Sequence, residues 1–154
     1  TAPGRGTLFR LLLPGAAVGT ARETAAPAPE RGHESLMIVD DQTEVAATLR
    51  RGLMRMGYQV EAYTSPRIAL ERFGMAPLRH SLLISDVVMP EMNGIEMART
   101  MRETRPDLPV ILCTGFNPTG VALPGGPTEV LAKPLDPVEL ARHVRRMLDA
   151  RRAA

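Results

Sequence analysis

One cysteine, no tryptophan, two tyrosines and three phenylalanines are all that 154 residues hold of these types. A single thiol excludes an internal disulfide and a cysteine-based zinc site, and it fits a reducing compartment. So few aromatics leave little on which nucleic-acid bases could stack. No apolar run approaches the roughly 20 residues of a membrane helix. Leu8 to Leu13 is short and broken by Arg10, so it does not read as a secretory leader. An excess of one charge is missing too: 19 Lys and Arg face 17 Asp and Glu, a formal net charge of +2. Charge alone therefore exerts no strong pull toward nucleic acid or a lipid surface. What is present is an ordinary globular composition, 44% hydrophobic and 23% charged. The length suits one full core with a tail or linker.

The residues are unevenly spread. "TAPGRGTLFRLLLP" puts a Gly-Arg-Gly-Thr turn before an apolar strand that stops at Pro14. Residues 15–34 are rich in Ala, Gly, Pro and charge, show no period, and read as a linker. From Ser35 the texture changes. "SLMIVDD", "SLLISDVV", "LPVILCTG" and "EVLAKP" are short apolar runs that predict buried strands, and "YQVEAYT" alternates as a strand does. Between them Val45, Leu49, Leu53 and Met56 recur at helical spacing up to Gly57. Ser65-Pro66 marks a capped helix start, with the helix running to about Gly74. Ile95, Ala98 and Met101 continue a third helix. Asp136-Pro137 repeats the cap-plus-proline signal for a last helix to about Ala150.

Strands alternating with helices predict an α/β fold: a five-stranded parallel doubly wound sheet of flavodoxin-like order 2-1-3-4-5. Such sheets gather function at the carboxyl ends of their strands, at the switch point. That rule selects Asp40 and Asp41 after the first strand, Asp86 after the third, Thr114 after the fourth and Lys133 after the fifth. Three carboxylates at one edge repel one another unless a cation joins them, and an all-oxygen cluster suits Mg²⁺. The lysine adds a point charge for an anion, and the threonine adds a hydroxyl donor. A carboxylate nucleophile, a metal clamp, a cation and a hydroxyl are the parts needed to move a phosphoryl group onto an aspartate.

In order and spacing, "IVDD", "SDVVMPEMNG", "VILCTG" and "AKPL" resemble the receiver domain of two-component response regulators, over residues 35–150. The resemblance implies that Asp86 is the phospho-accepting nucleophile, Thr114 the switch hydroxyl and Lys133 the contact to the phosphoryl group. Asp40, Asp41, Asp86 and the backbone carbonyl of Val88 would hold Mg²⁺, with Asp41 the direct ligand and Asp40 acting through water. Lys133-Pro134 resembles the cis peptide of the family. The implied donor is a phosphohistidine on a histidine kinase, the chain's own or another, or on a histidine phosphotransfer protein. Neither nucleic acid nor a membrane is an expected partner, and the implied location is cytoplasmic. Such a domain catalyses its own aspartyl phosphorylation without being a turnover enzyme. The first 14 residues resemble the final hairpin strand of a histidine-kinase ATP-binding domain. That resemblance implies the C-terminal receiver of a hybrid sensor histidine kinase: a kinase remnant over 1–14, a flexible linker over 15–34, the receiver over 35–150 and a tail over 151–154. A free-standing regulator with an N-terminal arm is the alternative.

Two departures from the family pattern bear on output. "FNPTGVALPGGPTE" carries three prolines and three glycines, so the fourth helix is expected to be short or irregular. Val130 stands where receivers carry a switching aromatic. These departures keep a second function open, a phosphorylation-independent interaction or autoinhibitory module of the kinase. An aspartate-based phosphohydrolase would need another acid two residues past the nucleophile, where this chain has Val88. Val88 and Phe116, both apolar, flank the path of a hydrolytic water and predict a long-lived aspartyl phosphate. His33, His80 and His143 and the arginines at 142, 145, 146, 151 and 152 read as surface groups. Cys113 and Met89, Met92, Met97 and Met101 read as packing.

Overall fold

The structure, a computed structural model, describes residues 31–115 and 123–153. Among them the elements run β1 (Ser35–Val39), α1 (Thr43–Arg55), β2 (Gln59–Tyr63), α2 (Pro66–Met75), β3 (Leu82–Asp86), α3 (Gly94–Thr104), β4 (Val110–Thr114), β5 (Thr128–Ala132) and α4 (Pro137–Ala153). All four strand pairings are parallel, in the order β2-β1-β3-β4-β5. This is the doubly wound sheet expected from the sequence.

The central strands are apolar runs because helices cover both faces of the sheet, and every residue of β3 and β4 is buried. Successive side chains then part to opposite faces. Leu36, Ile38, Ile84, Ile111 and Cys113 pack with Leu49, Leu53, Leu140 and Val144 beneath α1 and α4. Met37, Val39, Leu83, Val110 and Leu112 pack with Phe73, Met97 and Met101 beneath α2 and α3. Met97, Met101 and Cys113 thus serve as packing, as their sequence context suggests, and burial pushes the Cys113 thiol up to about 12. Helix starts follow their caps. The Asn93 side chain accepts from Ile95 N at 2.8 Å, and Asp136 accepts from Val138 N and Glu139 N at 2.8 and 3.0 Å. Gly52 lets α4 press onto α1, since a Cβ there would lie 2.3 Å from Pro137 Cβ.

Between β4 and β5, residues 123–127 form no helix; residues 116–122, Phe116 included, lie outside the described residues. The approach to β5 is held by Arg102 of α3 instead. Its buried guanidinium donates to the carbonyls of Leu108 (3.0 and 2.9 Å), Pro124 (3.0 Å) and Pro127 (2.7 Å).

At the amino ends of the strands, the chain is already packed before β1 begins. Gly32 N donates to Met56 O at 3.0 Å, and a Cβ on Gly32 would meet the Tyr58 ring at 1.9 Å. Glu34 lies between two arginines, Arg145 at 3.0 and 3.1 Å and Arg152 at 3.0 Å. Burial opposes its charge, yet the Arg145 hydrogen bond and the His33 amide hold its carboxyl at about 2.

The surface reading needs correction at His80, His143 and Arg145. His80 is 1% exposed, with Nε2 3.0 Å from Glu61 Oε2. His143 is half-buried, with Nδ1 2.6 Å from Glu129 Oε2. Arg145 is largely covered, because it finds the Glu34 carboxylate just before β1; Arg146 forks onto Glu129 but stays exposed. His33, Arg142, Arg146, Arg151 and Arg152 are exposed as expected. The kinase-like strand and residues 15–30 of the linker lie outside the described residues. Among the described residues no helix is long and apolar enough to cross a membrane.

Candidate functional site

Each candidate residue stands where a parallel strand ends, so the sheet itself assembles them. Asp40 follows β1 and its amide donates to Tyr63 O at 3.1 Å, continuing the β1–β2 ladder one step. Its Oδ1 accepts from Gln42 N at 2.9 Å, which fixes the carboxylate at the start of α1. Asp86 closes β3 and is 6% exposed. Thr114 closes β4, 4% exposed, and its carbonyl accepts from Lys133 N at 2.8 Å, which seats Lys133 just past β5. The Lys133-Pro134 bond is cis.

Lys133 Nζ donates to Asp40 Oδ2 at 2.8 Å and to Asp86 Oδ2 at 2.7 Å. Burial works against its charge, but these two hydrogen bonds and the two carboxylate charges outweigh it and raise the Lys133 pKa above the ordinary lysine value. Carboxylate oxygens of Asp40, Asp41 and Asp86 all lie within 4.8 Å of one another. Asp41 Oδ1 is buried with no hydrogen-bond partner among the described residues. A buried oxygen without a donor is costly, and a cation is the partner its charge calls for. Three formal negative charges against one positive leave an excess of two, and every donor is an oxygen. That set fits a hard divalent cation.

Val88 N lies 3.4 Å from Asp86 Oδ1, and the Val88 side chain is 60% exposed at the rim. Beside Lys133 an apolar groove of about 490 Å³ runs along α1, lined by Val45, Thr48, Leu49, Pro134 and Leu135 with Glu44 at its edge. The structure thus joins Asp40, Asp86 and Lys133 directly, adds Asp41 to their cluster, and sets Thr114 and Val88 on the adjoining strand end and loop. Sequence reasoning missed Ser85 and Gly94, which pack against the backbone of Asp86. The only signal for them was the quoted "SDVVMPEMNG" itself.

A doubly wound sheet with this acidic edge and a bridging lysine defines a class. Residues 36–145 match the response regulator receiver domain family. The chain belongs to that family and is a receiver, the phosphoacceptor domain of two-component systems. It is 35% identical over 120 residues to the response regulator receiver protein CpdR of Brucella abortus (strain 2308), covering 75% of this chain and 97% of CpdR. It is 34% identical over 116 residues to the response regulator MprA of Mycolicibacterium vanbaalenii, covering 73% of this chain and 49% of MprA. The chain therefore spans about half the length of that relative. Among solved structures, the receiver domain from the hybrid histidine kinase CckA is similar at a TM-score of 0.64 and 29% identity, over 74% of this chain and 98% of that one.

Proposed function

We propose that Asp86 takes a phosphoryl group from a phosphohistidine in a Mg²⁺-dependent reaction. The observation that carries this reading is the Lys133 bridge between Asp40 and Asp86, beside an Asp41 oxygen that lacks a partner among the described residues. An Asp86 carboxylate oxygen attacks phosphorus, and the phosphorus–nitrogen bond breaks. The electron pair returns to the imidazole nitrogen, and an acyl phosphate remains on Asp86. Lys133 offsets charge on the phosphoryl oxygens, and the Thr114 hydroxyl donates to one of them. Asp41, Asp86 and the Val88 carbonyl, with Asp40 through water, would hold Mg²⁺, which when bound neutralises charge on the transferring group. The groove beside Lys133 gives the protein that carries the phosphohistidine a surface to rest on.

The reading extends to the whole chain as the cytoplasmic C-terminal receiver of a hybrid histidine kinase, with residues 1–14 a kinase remnant, 15–34 a linker and 35–150 the receiver. The resemblance of the sequence "GRGTLFRLLLP" to the end of a kinase ATP-binding domain supports it, as does the likeness to the CckA receiver. The coding sequence ahead of Thr1 tests it: an ATP-binding domain must lie there.

The acceptor reading is tested with Mg²⁺ and acetyl phosphate, followed by mass spectrometry of the intact chain and its peptides. One phosphoryl group is expected on Asp86, absent from Asp86→Asn and absent in EDTA. A chain that stays unmodified yet still binds its kinase would hand the site to the phosphorylation-independent interaction reading.

A further inference from the structure

The geometry points to Ser85 as a positioning residue for phosphoryl transfer, acting through the backbone of Asp86; this rests on the acceptor reading above. Ser85 is 0% exposed. Its register partners are Val39 on β1 and Leu112 on β4, both members of the core beneath α2 and α3. A hydroxyl in such a layer is costly unless it is hydrogen-bonded. Ser85 Oγ donates to the carbonyl oxygen of Asp86 at 2.8 Å.

The start of α3 also closes in on the same carbonyl. Gly94, the first residue of α3, lies so close that a Cβ there would sit 1.9 Å from Asp86 O and 2.6 Å from Ser85 Oγ. Gly94 N donates to Val87 O at 3.0 Å, and Val87 N donates to Cys113 O at 2.8 Å. Three fixings therefore act on two consecutive peptide planes. The first plane carries the Asp86 side chain at its start, and the second ends at Val88, whose amide meets Asp86 Oδ1. Rotating the Asp86 carbonyl would shift the Val88 backbone relative to the Asp86 carboxylate that its amide meets. A serine that was only a satisfied core hydroxyl would affect stability; one that sets this plane affects the rate.

The test compares Ser85→Ala, Ser85→Thr and Ser85→Cys with the unsubstituted chain. Acetyl phosphate supplies the phosphoryl group at saturating Mg²⁺, well below each unfolding midpoint, and Mg²⁺ affinity is titrated separately. Ser85→Ala should slow phosphorylation about five- to tenfold and weaken Mg²⁺ binding, the loss of one hydrogen bond. Ser85→Thr keeps the hydroxyl and should restore the rate. Ser85→Cys, a near isostere with a weak donor, should fall between them. An unchanged rate in Ser85→Ala with only a lower urea midpoint would overturn the proposal, as would a folded Ser85→Cys no faster than Ser85→Ala. An unsubstituted chain that takes no phosphate would overturn the acceptor reading, and this inference with it.

Discussion

Two ion clusters sit at opposite ends of the same strands and are near mirror images in charge. At the carboxyl ends one cation, Lys133, lies between two acids, Asp40 and Asp86. At the amino ends one acid, Glu34, lies between two cations, Arg145 and Arg152. The difference is in what remains. At the amino end Asp149 pairs with Arg145, so two formal negatives meet two positives and the account closes. At the carboxyl end Asp41 is left over, with a buried oxygen that has no partner among the described residues. A closed cluster is complete within the fold and serves to join segments. An open one awaits charge from outside, which is what a site for a divalent cation and a phosphoryl group requires.

The sharpest way to break this contrast is to remove the leftover acid. Asp41→Asn should abolish Mg²⁺-dependent phosphorylation, a loss of at least about a hundredfold if the metal supplies several kcal/mol to the step. Its urea midpoint should stay level or rise, because a mutual repulsion disappears. Undiminished phosphorylation would sink the metal assignment.

Glu34→Gln should do the reverse, leaving phosphorylation alone and lowering stability by about 2 kcal/mol, between an exposed pair and a buried one. The pH dependence has a definite sign. The Glu34 carboxyl is depressed from 4.5 to about 2 in the folded chain. Its contribution is therefore full above 4.5 and lost as the pH falls toward 2. Urea titrations across that window should slope less steeply for the Gln variant; equal slopes would remove Glu34 from the joint.

The smallest effect is expected at Val88, whose exposed side chain cannot orient a water. Val88→Asn should speed phosphate loss from phosphorylated Asp86 about tenfold, some 1.4 kcal/mol of barrier, without moving the urea midpoint. Phosphate release kinetics on the purified phosphoprotein decide it.

The open cluster was legible in the sequence and the closed one was not, for a physical reason. Parallel strands covered on both faces are written as apolar runs, and a polar residue directly after such a run must stand at the sheet edge. Asp40, Asp86 and Thr114 each follow one, and their meeting needs only the strand order. Glu34 and Arg145 are 111 residues apart, and nothing near either one in sequence marks the other. His80 reads as exposed among polar neighbours, while Glu61, which buries it, lies 19 residues away on β2. Arg102 looks like any charged helix residue, because its partners are main-chain carbonyls that carry no side-chain signature. Turn chemistry was more direct: Ser65 and Asp136 cap helices where the sequence puts them.

The arginine fork on Glu34 also governs how this domain can travel between proteins. It ties the segment leading into β1 to the last turns of α4, so the chain arrives and departs at neighbouring points, both away from the acceptor edge. A unit wired in that way can be grafted after another domain, or spliced into an exposed loop of a host, without its connections crossing Asp86 or the groove along α1. The host would have only to offer two attachment points a short distance apart.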